Sequence, residues 1–289
     1  MSLPSAVIPF VKASACGNDF LLIDASILAG DLDPATLTRR MCDRHNGVGA
    51  DGVEWMYPHP TADVEIRLIN ADGSYAEISG NGTRCVAAYL CASQIKDRIA
   101  IQTGAGLKTC VLTGRSESEY ARSEYGESEY EFEVAMGKAV VGNEERVNLS
   151  AGEVRGIPVS IGNPHFVLLV PDFADDWKAT AAEIQRAPQF TEGVNIEMVV
   201  IDGTHDIRVR FFERGVGETQ SSGTGSCAAA MAAISTGKVE SAVRVHAPGG
   251  VQMVRQKGKD VFLRGAARLV CQGEFFLSNG EVGVRQIQS

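Results

Sequence analysis

Two short stretches of this 289-residue chain say nearly the same thing: Ile78-Ser79-Gly80-Asn81-Gly82-Thr83-Arg84-Cys85 and, about half a chain later, Ser221-Ser222-Gly223-Thr224-Gly225-Ser226-Cys227. Each Ser-Gly-Xaa-Gly element opens a helix-like run, Val86-Ala87-Ala88-Tyr89-Leu90 in the first case and Ala228-Ala229-Ala230-Met231-Ala232 in the second. The chain therefore reads as two half-molecules, each with a glycine-rich helix start. Glycine lets the backbone turn its N–H groups toward a ligand, and the unpaired N–H groups of a first helical turn favour negative charge. Taken singly, Ser79 or Ser222 is simply an N-cap, a position that serine prefers. Taken together, they hold equivalent points of two halves and could flank one carbon atom, the arrangement that a two-base racemase or epimerase needs.

Bulk composition narrows the partners. A formal net charge of −9 and the absence of a clustered basic run argue against nucleic acid or an anionic membrane as the main partner. No stretch approaches the length of a membrane span, and the N-terminus lacks a charged segment followed by a long apolar one, so a cytoplasmic protein is expected. The seven cysteines, Cys16, Cys42, Cys85, Cys91, Cys110, Cys227 and Cys271, are odd in number and lack Cys-Xaa-Xaa-Cys spacing. Neither a disulfide framework nor structural zinc is expected, and the dispersed histidines predict no catalytic metal.

Strand-like runs dominate: Phe20–Asp24, Val64–Ile69, Phe166–Val170, Ile196–Ile201, Asp206–Phe212 and Val261–Gly265. Helical signals are fewer. Asp33-Pro34 starts one helix, and the alanine-rich runs after the glycine turns supply two more. The fold class predicted is α+β, with one principal helix per half enclosed by sheet. Between Gly114 and Phe132, Ser-Glu-Tyr recurs three times with a period of five, which predicts an elongated, solvent-exposed hairpin tip or a partly disordered loop. The domain boundary is placed just beyond it, giving domains 1–131, joined by a C-terminal strand 276–289, and 132–275. Gly47-Val48-Gly49-Ala50-Asp51-Gly52 fits a dinucleotide-binding string, but the charged segment before it and the strand-like one after it make a chance match the better reading.

Short polar clusters surround the glycine turns: Gly17-Asn18-Asp19-Phe20, Asn70-Ala71-Asp72-Gly73-Ser74, Gly162-Asn163-Pro164-His165-Phe166, Gly193-Val194-Asn195 and Glu213-Arg214-Gly215-Val216-Gly217-Glu218-Thr219. With the two long motifs, they resemble the diaminopimelate epimerase family in order and spacing, from about Lys12 to Gly249-Gly250. The resemblance implies two similar domains, each a mixed sheet wrapped around a central helix, with substrate in a cleft between them. It also implies interconversion of LL- and meso-diaminopimelate for lysine and cell-wall synthesis without pyridoxal phosphate or metal, and a homodimer.

Residue by residue, Asn18, Asn70, Asn163, Asn195, Glu213 and Arg214 match the family positions that bind the distal end of the substrate. Gly80, Asn81, Gly223 and Thr224 match those whose backbone N–H groups hold the reacting carboxylate, and His165 and Glu213 match the partners of the two proton-carrying groups. Amides with a Glu and an Arg can read one fixed stereocentre through directed hydrogen bonds. Helix ends can stabilise charge that builds on the other carboxylate as its α-proton leaves.

The chain departs from the pattern at the centre of the chemistry. Where the family has cysteine in Cys-Gly-Asn-Gly and Cys-Gly-Thr-Gly, this chain has Ser79 and Ser222. A thiol can be tuned to cycle between thiol and thiolate, whereas a serine hydroxyl is a far weaker acid. Three readings follow. The chain is an epimerase whose thiols have been replaced, in the laboratory or by divergence, and which binds substrate with little or no turnover. Alternatively, it is an isomerase of the same fold in which His165, Glu213 or Glu218 moves protons on another substrate, or it is a non-catalytic amino-acid binding protein.

Overall fold

The computed structural model describes residues 6–28, 32–93, 96–117 and 128–277. It divides into two units, one running to Phe132 and resuming at Ala267, the other Glu133–Ala266. The first unit carries β1 (Ala6–Ala15), β2 (Asn18–Asp24), α1 (Pro34–Cys42), β3 (Gly52–Tyr57), β4 (Val64–Asn70), β5 (Tyr75–Ala76), α2 (Gly80–Ser93), β6 (Arg98–Thr103) and β7 (Gly106–Glu117). Then follow β8 (Ser128–Lys138), β9 (Val140–Val141), β10 (Glu145–Leu149), β11 (Gly152–Ser160), β12 (Pro164–Leu169), α3 (Trp177–Gln185), β13 (Asn195–Gly203), β14 (Asp206–Glu213), β15 (Gly217–Thr219), α4 (Gly223–Ser235), β16 (Val243–Ala247), β17 (Gly250–Lys257) and β18 (Asp260–Leu277). The chain passes from one unit to the other inside β8 and inside β18, not through a linker.

The two units repeat one topology. In the first, β2 is antiparallel to β1, parallel to β3 across α1, and β3 is antiparallel to β4, which is parallel to β6 across α2. In the second, β12 is antiparallel to β11, parallel to β13 across α3, and β13 is antiparallel to β14, which is parallel to β16 across α4. Parallel neighbours require a crossover, and each helix lies in one. The registers correspond as well: Phe20 lies opposite Gly52 as His165 lies opposite Asn195, and Leu22 lies opposite Glu54 as Val167 lies opposite Glu197.

Each unit is a mixed sheet around a central helix, α2 or α4. The run Cys227–Ala230 in α4, with Ala232 and Ala233, has no solvent exposure, as expected for a helix apolar on all sides. Its small side chains let Val199, Val209, Phe211, Val245 and Leu263 of the surrounding strands approach closely. In the first unit, a separate core beneath α1 gathers Leu37 and Met41 with Leu21, Ile23, Val53 and Trp55. Asp33 caps α1, accepting from the Thr36 N–H at 3.0 Å, with Pro34 at the first helical position.

The Ser-Glu-Tyr segment corrects one expectation. Gly114–Glu117 belongs to β7 and Ser128–Phe132 to β8, as an elongated hairpin requires, but Tyr130 and Phe132 are buried and not solvent-exposed. The third repeat feeds a period-two pattern in which Tyr130, Phe132 and Val134 are buried. The first two repeats at 118–125 lie outside the described residues, as do 278–289 of the expected C-terminal strand. The loop Gly47–Asp51 follows helix α1 and enters strand β3, the reverse of a dinucleotide-binding strand–turn–helix.

Candidate active site

Both serines cap helices. The Ser79 hydroxyl accepts from the Gly82 N–H at 3.1 Å, and its carbonyl takes the Thr83 N–H at 2.8 Å. The Ser222 hydroxyl accepts from the Gly225 N–H at 3.2 Å, and its carbonyl takes the Ser226 N–H at 2.9 Å. The third helical residue is glycine in both because a buried carboxylate lies against it. A β-carbon on Gly82 would overlap Oε1 of Glu54, and one on Gly225 would stand 2.8 Å from Oε1 of Glu197 and 2.9 Å from the Phe211 ring. Since Glu197 and Phe211 are wholly buried, Gly225→Ala is expected to lose roughly 2 kcal/mol or more from overpacking, outweighing the ~1 kcal/mol helix-propensity gain. Urea denaturation against Gly80→Ala, whose β-carbon meets nothing within 4 Å, checks this; equal midpoints would refute the packing argument.

In the first unit, the turn Cys16-Gly17 has φ of 47° and 81°, joining β1 to β2 in the twist-compatible form of a two-residue hairpin. It delivers Asn18, whose Nδ2 donates to Asp51 Oδ2 at 2.9 Å and whose Oδ1 accepts from Asn81 Nδ2 at 2.7 Å. Asn81 Oδ1 in turn accepts from Nη2 of the fully buried Arg84, which also reaches Cys16 Sγ at 3.6 Å. Arg44 bridges Asp19 and Asp51 at 2.7 Å each, and Lys12 Nζ lies 3.0 Å from Asp19. Burial opposes the charge on Asp19, but the hydrogen bonds and charges of Arg44 and Lys12 outweigh it and hold the carboxyl below its ordinary value. Asn70, the last residue of β4, stands apart from this network and donates to Ser74 Oγ at 3.0 Å.

In the second unit, Asn163 Nδ2 donates to Thr224 Oγ1 at 3.3 Å, the counterpart of the Asn18–Asn81 pair. His165 is buried with Nε2 3.0 Å from Asn163 Oδ1 and Nδ1 2.7 Å from Glu197 Oε1. Because Asn163 Oδ1 only accepts, Nε2 is the donor in that contact. Burial pushes the Glu197 carboxyl up, against the pull of His165. Asn195 Nδ2 donates to the Pro164 carbonyl at 3.0 Å, and its Oδ1 accepts from the Arg214 backbone N–H at 3.0 Å. Glu213 accepts from Thr219 Oγ1 at 2.6 Å and from Ser222 Oγ at 3.4 Å, while the Arg214 guanidinium donates to the Glu192 carbonyl at 2.7 Å. The adjacent Glu213 and Arg214 side chains thus have separate partners, Glu213 ending β14 and Arg214 lying in the turn beyond it.

Sequence reasoning missed Glu54, Glu197, Asp19, Asp51, Lys12, Arg44 and Arg84 as parts of these constellations. The signal for the two glutamates was present: each is a lone carboxylate in an apolar strand run, Val53-Glu54-Trp55-Met56 and Ile196-Glu197-Met198-Val199. Cys85 and Cys227, the cysteines nearest the serines, are wholly buried inside the helices, and burial pushes the Cys85 thiol far up. Among the described residues, no three His, Cys, Asp or Glu side chains gather closely enough to hold a metal ion, and no helix is long and apolar enough to cross a membrane.

Residues 10–140 and 157–270 match the family model for diaminopimelate epimerase. A diaminopimelate epimerase of Pelotomaculum thermopropionicum is 38% identical over 277 residues, spanning 92% of this chain and 98% of the relative. One from Sphingopyxis alaskensis is 36% identical over 269 residues, spanning 92% and 96%. Among solved structures, a hydroxyproline epimerase from Agrobacterium vitis with bound trans-4-hydroxy-L-proline aligns with a TM-score of 0.67 at 16% identity, covering 95% of this chain and 92% of its own. A methylitaconate-delta-isomerase aligns at 0.66 and 16% identity, covering 98% and 99%. At that identity the two structures share the fold and carry no argument about substrate.

Proposed function

The chain belongs to the diaminopimelate epimerase family, and on that premise we propose that it interconverts LL- and meso-diaminopimelate by cofactor-independent two-base proton transfer, with Ser79 and Ser222 at the two proton-carrying positions. The observation that carries this reading is the Ser222–Glu213–Thr219 hydrogen-bonded set at a capped helix start. It puts a carboxylate beside a hydroxyl that would exchange a proton with carbon. The N–H groups at Gly80-Asn81 and Gly223-Thr224 take the reacting carboxylate, where charge builds as the α-proton leaves. Asn18, Asn70, Asn163, Asn195, Glu213 and Arg214 read the distal amino-acid end, and His165 with Glu213 assists the two proton carriers. The same reading assigns the chain to lysine biosynthesis in the cytoplasm, as a homodimer.

Calorimetric titration with LL- and meso-diaminopimelate, L-lysine and L-proline tests the substrate. Diaminopimelate is expected to bind at least about tenfold more tightly than lysine, because a site built to hydrogen-bond a second amino-acid group is left with unpaired polar atoms when that group is missing. Asn195→Ala and Arg214→Ala are expected to erase that preference. Binding of proline in preference to diaminopimelate would overturn the assignment.

A further inference from the structure

Packing alone does not ask for the buried pair His165–Glu197, whose Nδ1 and Oε1 lie 2.7 Å apart with almost no solvent exposure on either residue. By strand register the first unit has Glu54 at the position of Glu197 and Phe20 at that of His165, so the repeat carries a buried glutamate there without a histidine. Nor does the histidine fully satisfy its glutamate, because Glu197 Oε2 has no hydrogen-bond partner among the described residues. A buried ion pair is weak evidence for stability, since well-packed apolar side chains of similar volume often serve as well or better. What the pair does secure is the imidazole ring. Glu197 is itself held against Gly225 in the first turn of α4, the residue whose N–H is capped by Ser222. With Nδ1 taken by a wholly buried carboxylate, Nε2 is the ring nitrogen left for proton exchange. It lies on a polar line: Nε2 meets Asn163 Oδ1 at 3.0 Å, and Asn163 Nδ2 reaches Thr224 Oγ1 at 3.3 Å, at a helix start that takes the reacting carboxylate on the reading above.

We propose that Glu197 is the positioning residue of His165, clamping the imidazole through Nδ1 so that Nε2 is the nitrogen that serves a proton carrier. The inference rests on the epimerase reading given above, in which His165 and Glu213 assist the two carriers. Glu213 accepts from the Ser222 hydroxyl, so His165 assists the other carrier. A base held in place by a third group is the general arrangement that makes a weakly acidic side chain usable in proton transfer. Glu197 supplies that third group from a wholly buried position, acting through His165 and not on substrate. The first unit shows what the same carboxylate amounts to without a ring to hold: Glu54, with Phe20 in the place of the histidine, has no partner for either oxygen among the described residues.

The test follows α-proton loss from LL- and from meso-diaminopimelate by proton NMR in deuterated water for Glu197→Gln, Glu197→Asp and Glu54→Gln. Each is made in the serine chain and in the Ser79→Cys/Ser222→Cys chain, with diaminopimelate affinity and melting temperature measured alongside. In a two-base enzyme each carrier removes the proton from one isomer and can return deuterium at its own face without the other. Glu197→Gln is therefore expected to lower exchange from one isomer about 100-fold, with exchange from the other and the dissociation constant held within about threefold. Glu197→Asp, which keeps the charge but is a methylene short, is expected to lose less from the same isomer, and it decides the question alone if the glutamine chain does not fold. Glu54→Gln removes the matching carboxylate that has no histidine beside it and is expected to leave exchange from both isomers unchanged. Equal loss from both isomers, loss from neither, or the same effect from Glu54→Gln overturns the proposal and leaves the epimerase reading standing. Absence of exchange in the double-cysteine chain refutes that reading, and with it the role given to His165 and Glu197.

Discussion

Replacing both capping serines, Ser79→Cys with Ser222→Cys, is expected to raise the rate of LL-to-meso conversion by about a thousandfold or more. The two side chains differ by one atom, and the structure has room for the role either would play: each hydroxyl already sits on a helix start, accepting from Gly82 or Gly225. What changes is acidity. A thiol has a reference pKa of about 8.5 and is lowered further by helix N-termini, while an alcohol is many units weaker. Three units of mismatch correspond to ~4 kcal/mol of barrier, about a thousandfold in rate. Appearance of the meso isomer with loss of the α-proton signal in deuterated water measures the gain, and the single-cysteine chains divide it between the two positions. If the double-cysteine chain binds diaminopimelate but inverts it no faster than the serine chain, proton transfer is not set by these two side chains, and the two-base assignment falls.

Much of the fold follows from local chemistry. Serine before glycine, repeated at half-chain spacing, specifies two capped helices at Gly80 and Gly223, and Asp33-Pro34 specifies a third at Pro34. The six strand-like runs lie in, or largely in, strands, because period-two alternation and β-branched runs are local signals. The misreading of 128–132 has the same root. The repeat of period five overlies the alternation of Tyr130, Phe132 and Val134 with Glu129, Glu131 and Glu133, which is a half-buried strand. The candidate site was legible only where it coincided with a turn motif. Asp19 and Arg44 meet across 25 positions and Asn18 and Asn81 across 63, so neither pair leaves a mark on the sequence around it.

The internal repeat makes one difference between the halves informative. Where the second unit answers a buried glutamate with His165, the first answers with Phe20 and leaves Glu54 alone. A structural repeat under selection for packing alone would replace such a carboxylate with leucine or methionine at little cost in volume.

That isolation gives a second large expected effect, on stability and not on rate. Burial pushes the Glu54 carboxyl up from 4.5 to about 8, so the folded chain keeps a proton that the unfolded chain releases. Where the folded state binds more protons, stability falls as pH rises. The loss attached to Glu54 begins near pH 4.5 and is complete above about pH 8, and a shift of three to four units corresponds to roughly 4–5 kcal/mol as an upper bound. Glu54→Gln removes the ionisation while keeping the shape. The two chains are therefore expected to be nearly equal in stability at pH 5, with the glutamine chain ahead by a few kcal/mol at pH 9. Glu197, also pushed up by burial, and Asp19, held down chiefly by Arg44 and Lys12 against burial, are common to both chains and cancel in the difference. The Cys85 thiol on α2, which feels the Glu54 charge, stays protonated in the folded state across this window. Urea denaturation of both chains at pH 5, 7 and 9 measures the difference directly. Curves that run parallel across that range would mean that Glu54 is already ionised when folded.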